Sequence, residues 1–278
     1  MRETVIYTKN STYQHFEVLK NNRNKRHRSQ EFLVEGVRSL NEAVAGGWEI
    51  RSFLYGQNTD ALSGWAKQMI ATVPTRMNYR LADPLLAALS GKTDTSELLA
   101  VIAMRQDDLA GLPLSDPPFL VLFDRPSNRG NLGTLIRSCD ALGADALLLT
   151  GHGVDVYDPE VVVSAMGSFF RQKVVRVADN EALFAWLADL KRRWPGFALL
   201  GTTAHRQTPI DSVDLTRPLL LMLGNETMGL NQNFQQRCDI LCTIPMAQDA
   251  YASSLNISCA ASILLYEVGR QRRQAARP

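Results

Sequence analysis

No apolar run in this chain of 278 residues approaches the roughly 20 consecutive apolar positions that a bilayer-spanning helix needs. The opening Met1-Arg2-Glu3-Thr4 has no apolar core of a secretory signal, so a cytoplasmic protein with no membrane partner is expected. Cysteine is scarce. Cys139, Cys238, Cys242 and Cys259 form no C-x-x-C pair, and no histidine follows Cys238 and Cys242 at zinc-finger spacing, so neither a metal site nor a disulfide is expected. Charge of one sign is also scarce: the net charge is +2, too little to argue by itself for a nucleic-acid partner. Standard nucleotide and hydrolase fingerprints are missing. There is no G-x-G-x-x-G after an early strand, Gly224–Gly229 lacks the Lys-Ser/Thr of a phosphate-binding loop, and no G-x-S-x-G elbow occurs. With 45% hydrophobic and 21% charged residues, the composition excludes a mainly disordered, collagen-like or coiled-coil chain.

What is present is unevenly distributed. Residues 1–30 hold seven basic side chains (Arg2, Lys9, Lys20, Arg23, Lys25, Arg26, Arg28) against Glu3 and Glu17, with His27 among them. Arg270, Arg272, Arg273 and Arg277 form a second cluster. Each reads equally as a phosphate-binding patch or as a solvated arm. The Pro- and Asp-rich stretch 107–117 reads as a linker between a domain of residues 1–106 and one of residues 118–278. In the first, strands are expected at 32–34, 50–55 and 98–103, with helices at 37–45 and 61–70. In the second, continuous apolar strands at 119–123, 146–150, 174–177, 197–200, 219–223 and 242–244 alternate with helices near 132–142, 181–194 and 254–273. Unbroken apolar runs predict strands covered on both faces, hence an α/β fold with a mostly parallel sheet. Ligands in such folds bind in the loops at the carboxyl ends of strands.

Three of those loops carry chemistry-bearing residues. They are Asn131-x-Gly133-x-x-x-Arg137, Leu223-Gly224-Asn225-Glu226-x-x-Gly229-Leu230, and Ile244-Pro245-Met246 followed by Ser254-Leu255-Asn256-Ile257-Ser258. Each offers backbone N–H groups near a helix start plus a polar side chain, an ordinary recipe for a nucleotide-like ligand. In this order the three resemble the motifs of the SpoU (TrmH-like) branch of the SPOUT superfamily, RNA ribose 2'-O-methyltransferases. Asp158-Pro159 through Ser164-Ala165-Met166-Gly167-Ser168, and Leu200-Gly201-Thr202-Thr203, agree as well. The likeness covers residues 118–275. Two departures stand out: Arg129 occupies the position where the family usually has proline, and about two extra residues separate Met246 from Ser254.

The resemblance implies a trefoil-knotted methyltransferase domain, a homodimer with the active site assembled across its interface, and S-adenosylmethionine as methyl donor. Residues before Phe32, with Phe32-Leu33-Val34-Glu35-Gly36, resemble the small α/β L30e-like RNA-binding domain of many members, which turns Arg23, Lys25, Arg26 and Arg28 into expected RNA contacts. Thr202, Gly224, Ile244 and Leu255 become the expected cofactor contacts. Arg137 becomes the catalytic arginine. A guanidinium keeps its proton at any ordinary pH, so a charged Arg137 that holds phosphate and stabilises an incipient alkoxide is chemically easier than a base. Asn131 would orient Arg137 or the ribose, or cap a helix. Glu226 would pair with an arginine, position substrate, or complement a helix dipole. Ser254 and Asn256 would bond the reacting nucleotide, or cap the last helix. Ribosomal RNA of the 23S type is the favoured substrate. Transfer RNA, resistance-conferring ribosome methylation and a non-catalytic RNA-binding protein on the same fold are the alternatives.

Overall fold

The computed structural model describes residues 2–91, 93–205 and 207–277. The chain divides into two compact units: Met1–Gln106 with Asp155–Arg171, and Asp107–Val154 with Gln172–Pro278. The segment 155–171, expected within the second domain, therefore belongs to the first unit.

In the first unit, β1 (Glu3–Ile6), α1 (Ser11–Asn21) and α2 (Arg23–Ser29) precede β2 (Glu31–Glu35), so most of residues 1–30 is regular structure rather than a solvated arm. Asn10 caps α1 by accepting from Tyr13 N–H, and Tyr13, Phe16 and Leu19 recur at helical spacing to bury one face. Asn22 ends α1 and caps α2 by accepting from Lys25 N–H. Then follow α3 (Val37–Ala45), β3 (Ile50–Gly56), α4 (Gly64–Thr72), β4 (Asn78–Leu81), α5 (Asp83–Leu89) and β5 (Leu98–Ala103). The five strands form a mixed sheet in the order β1-β4-β3-β5-β2, with β5 antiparallel to both its neighbours.

The second unit starts with residues 107–117, which carry no helix or strand. Their Leu109, Leu112 and Leu114 pack against the core of this unit. Next come β6 (Phe119–Asp124), α6 (Arg129–Leu142) and β7 (Ala146–Thr150). The chain then gives the first unit its last helix, α7 (Pro159–Ser164). It continues through β8 (Val174–Val177), α8 (Asn180–Arg193), β9 (Ala198–Thr202), β10 (Thr208–Pro209), β11 (Leu219–Leu223), α9 (Gln232–Arg237), β12 (Ile240–Thr243) and α10 (Ile257–Ala275). Seven strands form a sheet in the order β10-β12-β9-β11-β6-β7-β8, with every neighbouring pair parallel. β6, β7 and β11 are buried along their whole length, as their unbroken apolar sequences require.

Strand order reverses at β6 and β11: β7 and β8 lie to one side, β9 and β12 to the other. Loops leaving adjacent strands at such a point diverge and open a crevice. The loops after β6 and β11 are those that begin the first and second sequence motifs.

Candidate active site

The loop after β11 is built by its own backbone. Asn225 and Gly229 exchange N–H···O=C bonds at 3.0 and 2.9 Å, closing a five-residue turn. Gly229 holds the left-handed φ of +68° that glycine adopts without strain. The Asn225 carboxamide oxygen accepts from Thr227 and Met228 N–H, and its Nδ2 donates to the Arg125 carbonyl at 2.7 Å. Gly224 is a glycine for a different reason: a Cβ there would stand 2.0 Å from the Leu230 nitrogen. The close approach at this position is the protein's own chain, so a bulky substitution would disrupt the turn itself before it touched any ligand.

Glu226 ties this loop to the first motif. Its Oε2 accepts from Ser127 N–H (3.0 Å) and Oγ (2.6 Å), and its Oε1 from Asn128 N–H (3.0 Å) and Asn131 Nδ2 (3.3 Å). Half-burial disfavours the charge, yet the hydrogen bonds from Ser127 and Asn131 outweigh it and hold the carboxyl below its ordinary value. No arginine partner of Glu226 is seen among the described residues; there it organises the α6 entry. Asn128, not Asn131, caps α6. Asn131 instead bridges the motifs, because its Oδ1 accepts from Asn256 Nδ2 at 3.1 Å while its Nδ2 reaches Glu226. Asn256 in turn caps α10, accepting from Ser258 N–H and Oγ. One polar chain thus joins Ser127, Glu226, Asn131, Asn256 and Ser258 across all three motifs.

Glu226→Gln tests that organiser, since it offers donors where the carboxylate accepted. A lowered carboxyl pKa stabilises the folded state above the unfolded value, near 4.5, and the effect is lost as pH falls through the lowered folded value. The variant is expected to lose roughly 1 kcal/mol at pH 7 after solvent screening, with the gap to the parent narrowing as pH falls below 4.5. Thermal melts across pH 3–7 measure both.

Above the network lies a cavity of about 620 Å³, within the span of about 300–1,000 Å³ common for small-molecule sites. Thr202, Gly224, Ile244 and Leu255, the four expected cofactor contacts, all line it, as do Asn131, Glu226, Ser254 and Asn256. Its walls mix apolar side chains (Leu223, Leu230, Leu264) with backbone and polar groups, and Glu226 is the one carboxylate among the described lining residues. Thr202 keeps its hydroxyl on the sheet, donating to the Met222 carbonyl at 3.0 Å. Ser254 is exposed and caps nothing.

Arg137 stands apart. It is exposed on α6, does not line the cavity, and has no hydrogen-bond or ion-pair partner among the described residues; Asn131 does not touch it. In the first unit, Lys25 and Arg28 are exposed and Arg23 half-buried, whereas Arg26 is 1% exposed. Arg26 donates to Asp155, Asp158 and the carbonyls of Leu19 and Lys20, so it is a structural residue and not the surface RNA contact expected from its neighbours. The second basic cluster is also largely committed. Arg270 pairs with Glu267, and Arg272 donates to the carbonyls of Leu215, Pro117, Pro118 and Arg217. Among the described residues, no group of three or more His, Cys, Asp or Glu is placed to hold a metal.

Sequence reasoning missed Asp124 and Arg125. Asp124 is 2% exposed and accepts from Thr150 Oγ1, Arg125 Nε and the Asn231 N–H. Arg125, at a left-handed φ of +54°, also donates to the Gly229 carbonyl at 3.1 Å. The pair fastens both ends of the second-motif turn to β6. The available signal was a charged Asp-Arg step ending the apolar run Phe119–Phe123.

An all-parallel α/β sheet whose three motif loops meet at one cavity beside its reversal point defines a class, and comparison gives its family. Residues 118–266 match the SpoU rRNA methylase family and residues 10–100 the SpoU L30e-like domain; the chain belongs to the SpoU rRNA methylase family. It is 42% identical over 268 residues to the 23S rRNA (uridine(2479)-2'-O)-methyltransferase of Streptomyces viridochromogenes, covering 96% of this chain and 92% of that one. It is 26% identical to the 23S rRNA (guanosine(2553)-2'-O)-methyltransferase RlmP of Bacillus subtilis, over 88% and 90% of the two chains. The crystal structure of the SpoU methyltransferase AviRb from Streptomyces viridochromogenes in complex with AdoMet superposes with a TM-score of 0.90 at 41% identity, covering 97% of this chain and 100% of that chain.

Proposed function

We propose that this protein transfers a methyl group from S-adenosylmethionine to a ribose 2'-hydroxyl of ribosomal RNA, of the 23S type. The observation that carries the reading is the convergence of all three motifs on one cavity, in a chain aligned almost end to end with 23S rRNA 2'-O-methyltransferases. The cavity fits the donor. Its lining includes the backbone at Gly224, apolar side chains at Ile244 and Leu255, and the Glu226 carboxylate, whose charge favours a cationic ligand nearby. Bound there, S-adenosylmethionine would supply an electrophilic methyl on a sulfonium.

The chain's own residues then have separate tasks. Glu226, Asn131 and Asn256 hold the three loops in register. Ser254, exposed at the rim, is free to bond the incoming nucleotide. Arg137 stabilises negative charge as the hydroxyl oxygen becomes nucleophilic, from a guanidinium that stays charged. Because Arg137 does not line the cavity of its own chain, we propose that a second copy presents it, in the cytoplasmic homodimer that the family resemblance implies together with its knot. Ile263 and Tyr266, 44% and 54% exposed on α10, support such an interface.

Calorimetry with S-adenosylhomocysteine, and transfer of label from S-adenosylmethionine to ribosomal RNA, test the reading. Binding with label recovered in alkali-resistant dinucleotides is expected. Absence of binding would overturn it, and binding without transfer would leave the non-catalytic alternative. Replacing Arg23, Lys25 and Arg28 together by Ala is expected to weaken RNA binding and lower the slope of log affinity against log salt by about 2, with cofactor affinity unchanged. An unchanged slope would remove these side chains from the RNA interface.

A further inference from the structure

The loops framing the cavity expose large apolar side chains: Met228 at 75%, Met246 at 38%, Leu255 at 37% and Tyr251 at 106%. Tyr251 is the extreme case. Its ring stacks on no other aromatic side chain and its hydroxyl has no hydrogen-bond partner among the described residues, so it adds nothing visible to the fold. It lies on the stretch between Ile244-Pro245-Met246 and Ser254, where this chain is longer than the motif it resembles. Met246 and Ser253, on either side of it in sequence, both line the cavity. Only Ala252 separates Tyr251 from Ser253, which puts their Cα atoms no more than about 7.6 Å apart, two Cα–Cα steps. The phenol ring is therefore exposed to water on the same loop that supplies Met246 and Ser253 to the cavity wall.

We infer that Tyr251 is a stacking platform for an unpaired base of the RNA substrate, next to the ribose being methylated; this rests on the methyltransferase reading above. Sequence-specific recognition of RNA targets unpaired segments whose bases are splayed out, and an unstacked base needs a new face to lie against. Aromatic rings supply that face whatever the base, because every base has a π surface. Position favours an RNA base as occupant: Tyr251 stands between the cavity-lining Met246 and Ser253 in sequence, whereas Ile263 and Tyr266, which support the interface between copies, lie along α10. Met228, on the second-motif loop, gives the rim a second apolar contact of adaptable shape.

The test compares the full-length parent with Tyr251→Ala, Tyr251→Phe and Tyr251→Trp, using ribosomal RNA from cells lacking this protein. Tyr251→Ala is expected to raise KM for RNA on the order of tenfold, with S-adenosylhomocysteine affinity, dimer mass and the salt slope of RNA binding unchanged. Phe and Trp should restore the parental KM, and the Trp fluorescence should be quenched when RNA binds. An unchanged KM in Tyr251→Ala would overturn the proposal. So would an equal defect in Tyr251→Phe, which would assign the effect to the hydroxyl, or a loss of dimer in sedimentation, which would make the ring an interface residue. A parent that binds S-adenosylhomocysteine but methylates no ribosomal RNA would overturn the methyltransferase reading itself, and this inference with it.

Discussion

Arg137→Ala is expected to lower turnover by on the order of 10²–10³ while cofactor affinity and thermal stability stay at parental values. The separation follows from where the side chain lies. Arg137 is exposed on α6, makes no hydrogen bond or ion pair among the described residues, and does not line the cavity, so its removal breaks nothing that holds the fold or the donor. Arg137→Lys then divides the possible roles. A purely electrostatic role leaves Lys partly active, above Ala. A two-pronged grip on phosphate makes Lys nearly as poor as Ala, because a point charge cannot reproduce the planar fork. A base role predicts a new rise of rate with pH in the Lys variant. Near-parental turnover of Arg137→Ala at saturating RNA would remove Arg137 from the mechanism.

Arg26→Ala should have the opposite signature, a loss of stability on the order of 3–5 kcal/mol. The side chains of Arg26 and Asp155 are only 2% and 4% exposed, and the guanidinium donates to Asp155 (2.8 Å), Asp158 (3.3 Å) and the carbonyls of Leu19 (2.9 Å) and Lys20 (3.2 Å). Truncation strands a buried carboxylate, with His27 Nε2 (3.0 Å) and Tyr157 N–H as its remaining donors. The cost is that of an unpaired charge, not of one lost bond. Removing both charges in Arg26→Met/Asp155→Asn should therefore recover much of the loss, and the double-mutant cycle measures the coupling. Denaturant melts of the parent, Arg26→Ala, Arg26→Met, Asp155→Asn and the double variant suffice. Because α2 also carries Lys25 and Arg28, the single variant should bind RNA more weakly than its own charge change explains. Full stability in Arg26→Ala would mean that the ion pair holds nothing.

Legibility followed the length and purity of the pattern. The five apolar residues at 219–223 were expected as a covered strand and form β11; the run at 119–123 forms β6, extended by Asp124. Elements with short or polar sequences escaped. β4 is only Asn78-Tyr79-Arg80-Leu81, and its strand character comes from pairing with β1 and β3 on either side. Likewise, α2 reads as a string of charges, yet two Asn22 interactions and the Arg26 anchor make it a helix. Asn131 is expected to orient Arg137 or the ribose, with capping as the alternative; capping is set by which backbone turns outward, and that residue is Asn128.

By itself the sequence determined that an α/β sheet of covered strands would present three polar loops, since apolar runs and turn residues are local signals. It also determined which side chains those loops would carry. Only the tertiary structure decided what each one touches. Lys25 and Arg26 are adjacent cations on one short helix, but successive helical residues point about 100° apart, so one faces water and the other is buried. What receives the buried one is Asp155, 129 residues further along the chain. The same holds at the site, where Glu226 meets Ser127, 99 residues away, and Asn131 meets Asn256, 125 away. Contacts between residues so far apart leave no periodicity or spacing to be read; those at the site exist because parallel strands carry the loops that follow them to one end of the sheet.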